Sequence, residues 1–330
     1  MSKVRCARSI SLGALAAATA GLVLVAPPAS AGLTTHCAGT AGAVTVPGDL
    51  LVPEGKSCVL DGTTVTGVVT VAEGANLIIT GGAFEQGVTV LDDGFFDAEL
   101  TGIGGGVRMI DAYGTYLADL TTGGGLRVEA PEHPERATYA YLSGATVGGD
   151  VSSRAGELYA EHSILRSGLS GAEVSYVDLY DVVLEGDLAV RDAQLGSVVC
   201  GSEVYGDAHF TDNSGTVQVG ADGPVASCAA AGYWDGDVRI ADNTAHVRVS
   251  GNIIRGDLSG TGNAPAPEVS GNRVRGEASG QFDTSSAARA EAMADNRAGQ
   301  ADRGAALAEQ TRDRRSAAQA VAVAAGPVEL

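Results

Sequence analysis

The 330-residue chain carries 40 acidic against 21 basic residues, a net charge of −19, and combines 45% hydrophobic residues with 5% aromatic residues and 47 glycines. That charge repels nucleic acid and anionic lipid, which excludes both as default partners. The apolar fraction is too high for a disordered low-complexity chain.

In chain order, the first element is a leader. Lys3, Arg5 and Arg8 precede an apolar run over residues 10–25, and Ala29-Ser30-Ala31 follows. This pattern predicts a signal peptide over 1–31, cut after Ala31. The run is short for a bilayer core, and no later stretch is apolar enough to span one. The expectation is a secreted, extracellular protein with no membrane insertion after signal cleavage. Past the cut, residues 32–282 hold 33 acidic and 12 basic residues, while 283–330 hold seven and six.

Residues 32–282 repeat. VSGNIIRG at 249–256 returns as VSGNRVRG at 269–276. Glycines that precede short alternating apolar stretches recur at Gly48, Gly67, Gly87, Gly106, Gly125, Gly149, Gly168, Gly186, Gly206, Gly236, Gly256 and Gly276. Nine of the eleven intervals are 18–20 residues; the exceptions are 24 and 30. A fixed period of this size marks a stacked repeat. Within one period the texture is strand, turn, strand, turn, strand, as in DVRI (237–240), HVRV (246–249) and NIIR (252–255). Runs this short, broken by Gly, Asn and Asp, are strands with sharp corners. The prediction is an all-β parallel β-helix, a β-solenoid of a dozen coils, right-handed by the general preference of parallel crossovers. Coils stack at about 4.8 Å, and Val, Leu and Ile ladders fill the bore.

Cys6 lies in the leader, which leaves Cys37, Cys58, Cys200 and Cys228. An even number in an oxidising compartment predicts disulfides. Members of each pair fall at similar places on adjacent coils, so the expected bonds are Cys37–Cys58 and Cys200–Cys228, the second closing the 30-residue coil. No Cys/His spacing suggests zinc. The low-complexity tail, residues 283–330, is rich in Ala and Arg. It favours helix by propensity, yet it offers few bulky residues for docking. A frayed helix or a disordered segment is expected, or a helix capping the open last coil.

The residue after the glycine is Asp187, Asp207, Asp237 and Asp257 in consecutive coils. Stacking places these four carboxylates in a column, where calcium could relieve their repulsion. Plain Gly-Asp turn chemistry is the competing and favoured reading, so no resident cofactor or metal is assigned. Asn252 and Asn272 stack in the same way, with a structural role. The acids a β-helix hydrolase or lyase could use include Asp92, Asp93, Asp111, Asp119, Glu157, Glu161 and Asp178; Asp111 and Asp119 share a repeat, but their spacing does not set them on one face. Arg239 and Arg248 occupy outward, solvated positions. No catalytic residue is assigned.

The stretch VSGNIIRGDLSGTGNAPAPEVSGNRVRGEASGQF, residues 249–282, resembles the C-terminal end of a group of secreted actinobacterial proteins. Their ends read like GNTVxGNLxCxxNxPAPxxxGNTVxGxxxGQC. This chain departs from that pattern at Gly260 and Phe282, where the group carries a Cys pair. The resemblance implies a β-solenoid and no particular activity; pectate-lyase-type β-helices are similar at the level of fold only. The reading is a secreted, non-enzymatic structural or ligand-binding module. Its expected partners are extracellular polysaccharide or further copies stacked at the coil ends, and the alternative is a carbohydrate-active β-helix enzyme.

Overall fold

The computed structural model describes residues 32–133, 136–221, 223–228, 230–283 and 302–330. The expected signal peptide, 1–31, and the first part of the tail, 284–301, lie outside the described residues.

Among the described residues the chain winds through three parallel sheets of 13, 12 and 12 strands, each turn adding one strand to each sheet. Sheet 1 runs from Thr34–His36 to Ala278–Gly280, sheet 2 from Gly39–Ala41 to Glu268–Ser270, and sheet 3 from Thr45–Val46 to Arg273–Val274. The chain is an all-β parallel solenoid of about a dozen coils, as the period requires.

Strand alternation fills the bore. In sheet 1, Leu50, Val69, Val88, Val107 and Leu126 pair in register from coil to coil, and each is at most 2% exposed. Burying one such side chain is worth about 1.5–3 kcal/mol. The glycine column slips by one residue along the rod. Gly106 and Gly125 accept from the amides of Val88 and Val107, and Asp150 and Asp187 accept from Leu126 and Leu169 at the same step. Gly106, Gly125 and Gly168 therefore stand level with Asp150 and Asp187, one place later than the repeat reading set them. Intervals of 19 and 20 residues conceal such a slip.

Corners use left-handed backbone. After sheet 2 the turning residue is Gly62, Gly81, Leu100, Asp119, Gly144, His162 or Asp181 in successive coils, all with φ between 47° and 71°. Inside another corner, Asn213, Asn243 and Asn263 form a buried ladder. Asn213 Nδ2 donates to Asn243 Oδ1 and Asn243 Nδ2 donates to Asn263 Oδ1, each at 2.8 Å. Asn252 donates to Asn272 Oδ1 at 2.9 Å in the same manner.

Disulfides join Cys37 to Cys58 and Cys200 to Cys228, with Cα separations of 5.5 and 5.4 Å. The oversized coil is also held from within. Buried Gln218 donates to the carbonyls of Ala221 and Ala226 and accepts from the amides of Val225 and Ala226. At the far end, fully buried Phe282 lies over Gly260, where an added Cβ would come within 2.8 Å of its ring. The two positions that carry cysteines in the resembling group are thus neighbours here, and the large ring occupies the room the glycine leaves.

The tail takes the helical alternative, docked at a place the sequence did not indicate. Residues Arg303–Ala325 form one continuous 23-residue helix, α1, capped by Asp302, whose carboxylate accepts from Ala305 N at 3.0 Å. It is neither frayed nor laid over the last coil. It lies on the outer face of sheet 2 and ends at the first coil. There Thr40 donates to Gly326 O and accepts from Val328 N, and Val328 and Leu330 pack against the core. The buried stripe of α1 is Gly304, Leu307, Thr311, Ala318 and Ala322, with one large apolar side chain. Small residues let the helix approach closely, and the bulk needed for docking comes from the sheet.

Candidate functional site

Sheet 2 shows why the tail stays. Its strands FFDAE, YAYLS and YVDLY carry large residues at both alternations, the pattern of a sheet covered on both faces. Phe95, Tyr139, Tyr141, Tyr159 and Tyr176 cluster with Leu307 of α1. Polar groups are matched across the contact. Thr311 donates to Tyr139 OH at 3.0 Å, the Arg303 guanidinium stacks 4.5 Å from the Tyr176 ring, and Arg314 does the same over Tyr113.

Two acids lie sealed under the helix. Asp178 pairs with Arg303 at 3.1 Å and Asp97 with Arg315 at 2.9 Å. Asp97 gains an ion pair only, since neither of its carboxylate oxygens has a hydrogen-bond partner. Burial pushes Asp97 up to about 7 against the pull of Arg315, with Glu99 adding to the rise. Burial likewise pushes Asp178 up to about 6 against Arg303. Glu157 rises for the same reason. It accepts from Tyr176 OH at 3.1 Å, and Glu161 accepts from Tyr141 OH at 2.6 Å. Asp97 and Asp178 have no exposed surface and are closed to a substrate, while Glu157 and Glu161 are half-buried beside the tyrosines.

The remaining acids on the catalytic shortlist lie at corners between strands. Asp93, Asp111 and Asp119 take left-handed corner positions, Asp111 accepts from Glu132 N at 2.9 Å, and Asp92 pairs with Arg136. Arg239 is exposed as expected. Arg248 is not, because it is half-buried and pairs with Glu268 at 3.0 Å.

The acidic column forms. Asp187 Oδ1 accepts from Asp207 N at 2.9 Å, Asp207 Oδ1 from Asp237 N at 2.9 Å, Asp237 Oδ1 from Asp257 N at 2.8 Å, and Asp257 Oδ1 from Glu277 N at 2.7 Å. Each carboxylate thus caps a backbone amide of the next coil. Among the described residues no group of three or more His, Cys, Asp or Glu is placed to hold a metal.

The open face is sheet 1. A groove of about 1010 Å³ runs across it, lined by Arg108, Arg127, Arg154, Glu129, Asp150, Ser152, Ser170 and Asp187 among others. The strand register stacks Thr89, Arg108, Arg127, Ser152 and Ser170 in one outward column. The 24-residue coil supplies one wall with Glu129 and Ala130. Arg108 Nε lies 2.8 Å and Arg127 Nε 3.5 Å from Glu129 Oε1. The hydrogen bond from Arg108 holds the Glu129 carboxyl below its usual range. Asp150 accepts from Ser167 Oγ and, at 3.1 Å, from Gly168 N. The sequence reading did not single out this groove. Its signals were the long interval after Gly125 and the R at the third place of GVRM and GLRV.

Fold and groove together define the class: a parallel β-solenoid rod, clasped on one face by its own helix and open on another. Compared against protein-family models, curated proteins and solved structures, the chain matches none of them. No helix among the described residues is long and apolar enough to cross a membrane.

Proposed function

We propose that the chain is an extracellular, non-enzymatic module that binds a polysaccharide along the open face of sheet 1. The observation that carries this reading is the outward column Arg108, Arg127, Ser152 and Ser170, repeated at the coil pitch within a continuous groove. Guanidinium and hydroxyl groups are suited to a polymer that presents hydroxyls and carboxylates at regular intervals. Placement outside the cell rests on the predicted leader and on the resemblance of residues 249–282 to secreted actinobacterial proteins.

The alternative, a carbohydrate-active enzyme, draws on Glu129, Asp150 and Asp187, which share the groove with the arginines. A general acid needs a carboxyl held above its ordinary range, and Glu129 is held below it. A glycan-array screen with and without calcium, scored for both retention and chain cleavage, tests the two readings. Retention without cleavage, lost in the Arg108→Ala/Arg127→Ala double variant, supports the module. Cleavage transfers the assignment to the enzyme, and an array with no bound glycan overturns both.

A further inference from the structure

The two ends of the rod are finished differently. Sheet edges left open invite pairing with another chain, and proteins usually blunt them with charge, proline or a cover. The first coil lacks the charge: residues 32–48 contain no Asp, Glu, Lys or Arg in a chain of net charge −19. It also leaves Leu33 64% and Val44 42% exposed. What it has is a cover. Both backbone groups of Thr40 are taken by the tail, its N–H by Gly326 O at 3.0 Å and its carbonyl by Val328 N at 2.9 Å. An added Cβ on Gly39 would collide with Gly326 O, so this edge is shaped for a close backbone neighbour.

The last coil has the complementary form. Its strands Glu268–Ser270, Arg273–Val274 and Ala278–Gly280 end the three sheets and pair on one side only among the described residues. Val269 and Val274 are half-buried there and still pack on the core. Glu277 and Gln281 bond back to the previous coil, through Leu258 N to Glu277 O at 2.9 Å and Gln281 N to Gly260 O at 2.8 Å. A residue in a parallel strand sends both backbone groups to one side, alternating along the strand. Ala278 N–H therefore faces the outer edge, which no described strand pairs.

We propose that residues 326–330 act as an assembly stop, and that the edge they cover, Gly39–Ala41, is a docking surface for the last coil of a second copy of this chain. Both edges run parallel in the same three-sheet order, so one copy set on another continues every sheet in the same direction. The contact is head-to-tail and does not close, and its product is a linear filament. Docking needs only residues 326–330 to leave, since α1 keeps its own arginine pairs to sheet 2. The inference goes beyond glycan binding and holds or fails independently of the groove.

The test uses the exported chain in three forms: unaltered, ended at Ala325, and full-length with Val328→Pro. The proline removes the amide that Thr40 binds and leaves the rest of the tail in place. Sedimentation velocity and negative-stain microscopy follow size against concentration, and a thermal melt reports folding. The unaltered chain is expected to sediment as a single rod. Both altered forms should grow end to end, at least doubling in mass as concentration rises. Adding Ala278→Pro to either should return it to a single rod, because the proline blanks the opposite edge. Folded altered forms that stay single overturn the proposal, and so do aggregates indifferent to Ala278→Pro. If the shortened chain melts early, the Val328→Pro form decides.

Discussion

Arg315 Nε lies 2.9 Å from Asp97 Oδ2, on a carboxylate with no exposed surface. The pair is one of two. Arg303 meets Asp178, which shares a sheet 2 column with Asp97 through Tyr116, Tyr141 and Tyr159. Four coil steps of about 4.8 Å separate the acids, roughly 19 Å. Twelve helical residues separate the arginines, roughly 18 Å at 1.5 Å per residue. Helix rise and coil pitch thus agree over the span, and both pairs form without bending either element.

Removing Arg315 strands Asp97 in a dry site, and losing one partner of a buried pair typically costs about 3 kcal/mol or more. Arg315→Ala is therefore expected to lower the opening free energy of the helix by that order, followed by hydrogen exchange at α1. Replacing both partners, Asp97→Leu with Arg315→Met, should recover most of the loss. A double variant as unstable as the single one would refute the pairing account.

Helix docking should tighten on mild acidification. A solvated carboxyl gives up its proton near pH 3.9, whereas under the helix Asp97 holds its proton to about pH 7 and Asp178 to about pH 6. Between those limits the docked state binds more protons than the undocked one, so its stability falls as pH rises. The gain is complete near pH 4 and is lost as pH passes through about 7. Arg315 and Glu99 face Asp97, and Arg303 and Glu157 face Asp178. Exchange protection of α1, corrected for intrinsic rate, should rise from pH 8 to pH 5, and Asp97→Asn should flatten much of that slope.

Leu100 is a candidate for improvement. It sits at φ 51° between Gly81 and Asp119 in the corner column and is 64% exposed. A left-handed L-residue costs about 1–2 kcal/mol, and no burial offsets that here. Leu100→Gly is expected to raise stability by about 1 kcal/mol in a denaturant melt. The reverse change, Gly81→Leu, should lower it.

The acidic column predicts a neutral substitution. Asp207 Oδ1 serves as an acceptor for Asp237 N, a role that an amide oxygen can fill. Asp207→Asn should melt with the unaltered chain, while Asp207→Ala should lose about 1 kcal/mol. Added calcium should leave both melting curves in place. A calcium-dependent rise abolished by Asp207→Asn would return the column to the list of metal sites.

The solenoid was legible because its signal repeats: GVTV, GVRM and GLRV restate one inward alternation every coil, so single misplacements average out. The helix contact was not legible from the tail. Its stripe of Gly304, Leu307, Thr311, Ala318 and Ala322 has almost no hydrophobic contrast. The contrast sits in the partner surface, where seven of the nine tyrosines fall between residues 113 and 180. Outward aromatic residues in a narrow rod require a cover, and that inference was available from YAYLS and YVDLY. The groove was harder to see, because it depends on an extended coil forming a wall, and spacing alone gives a loop no direction.

The bond between Thr40 and Val328 also sets an order of events for a chain made from residue 1 onward. Coils can wind one at a time as the polypeptide emerges, each templated by the one before. The seam at the first coil waits for the final residues to be synthesised. Through that interval the newly wound rod presents a bare, uncharged rim, and the last residues to arrive are the ones that close it.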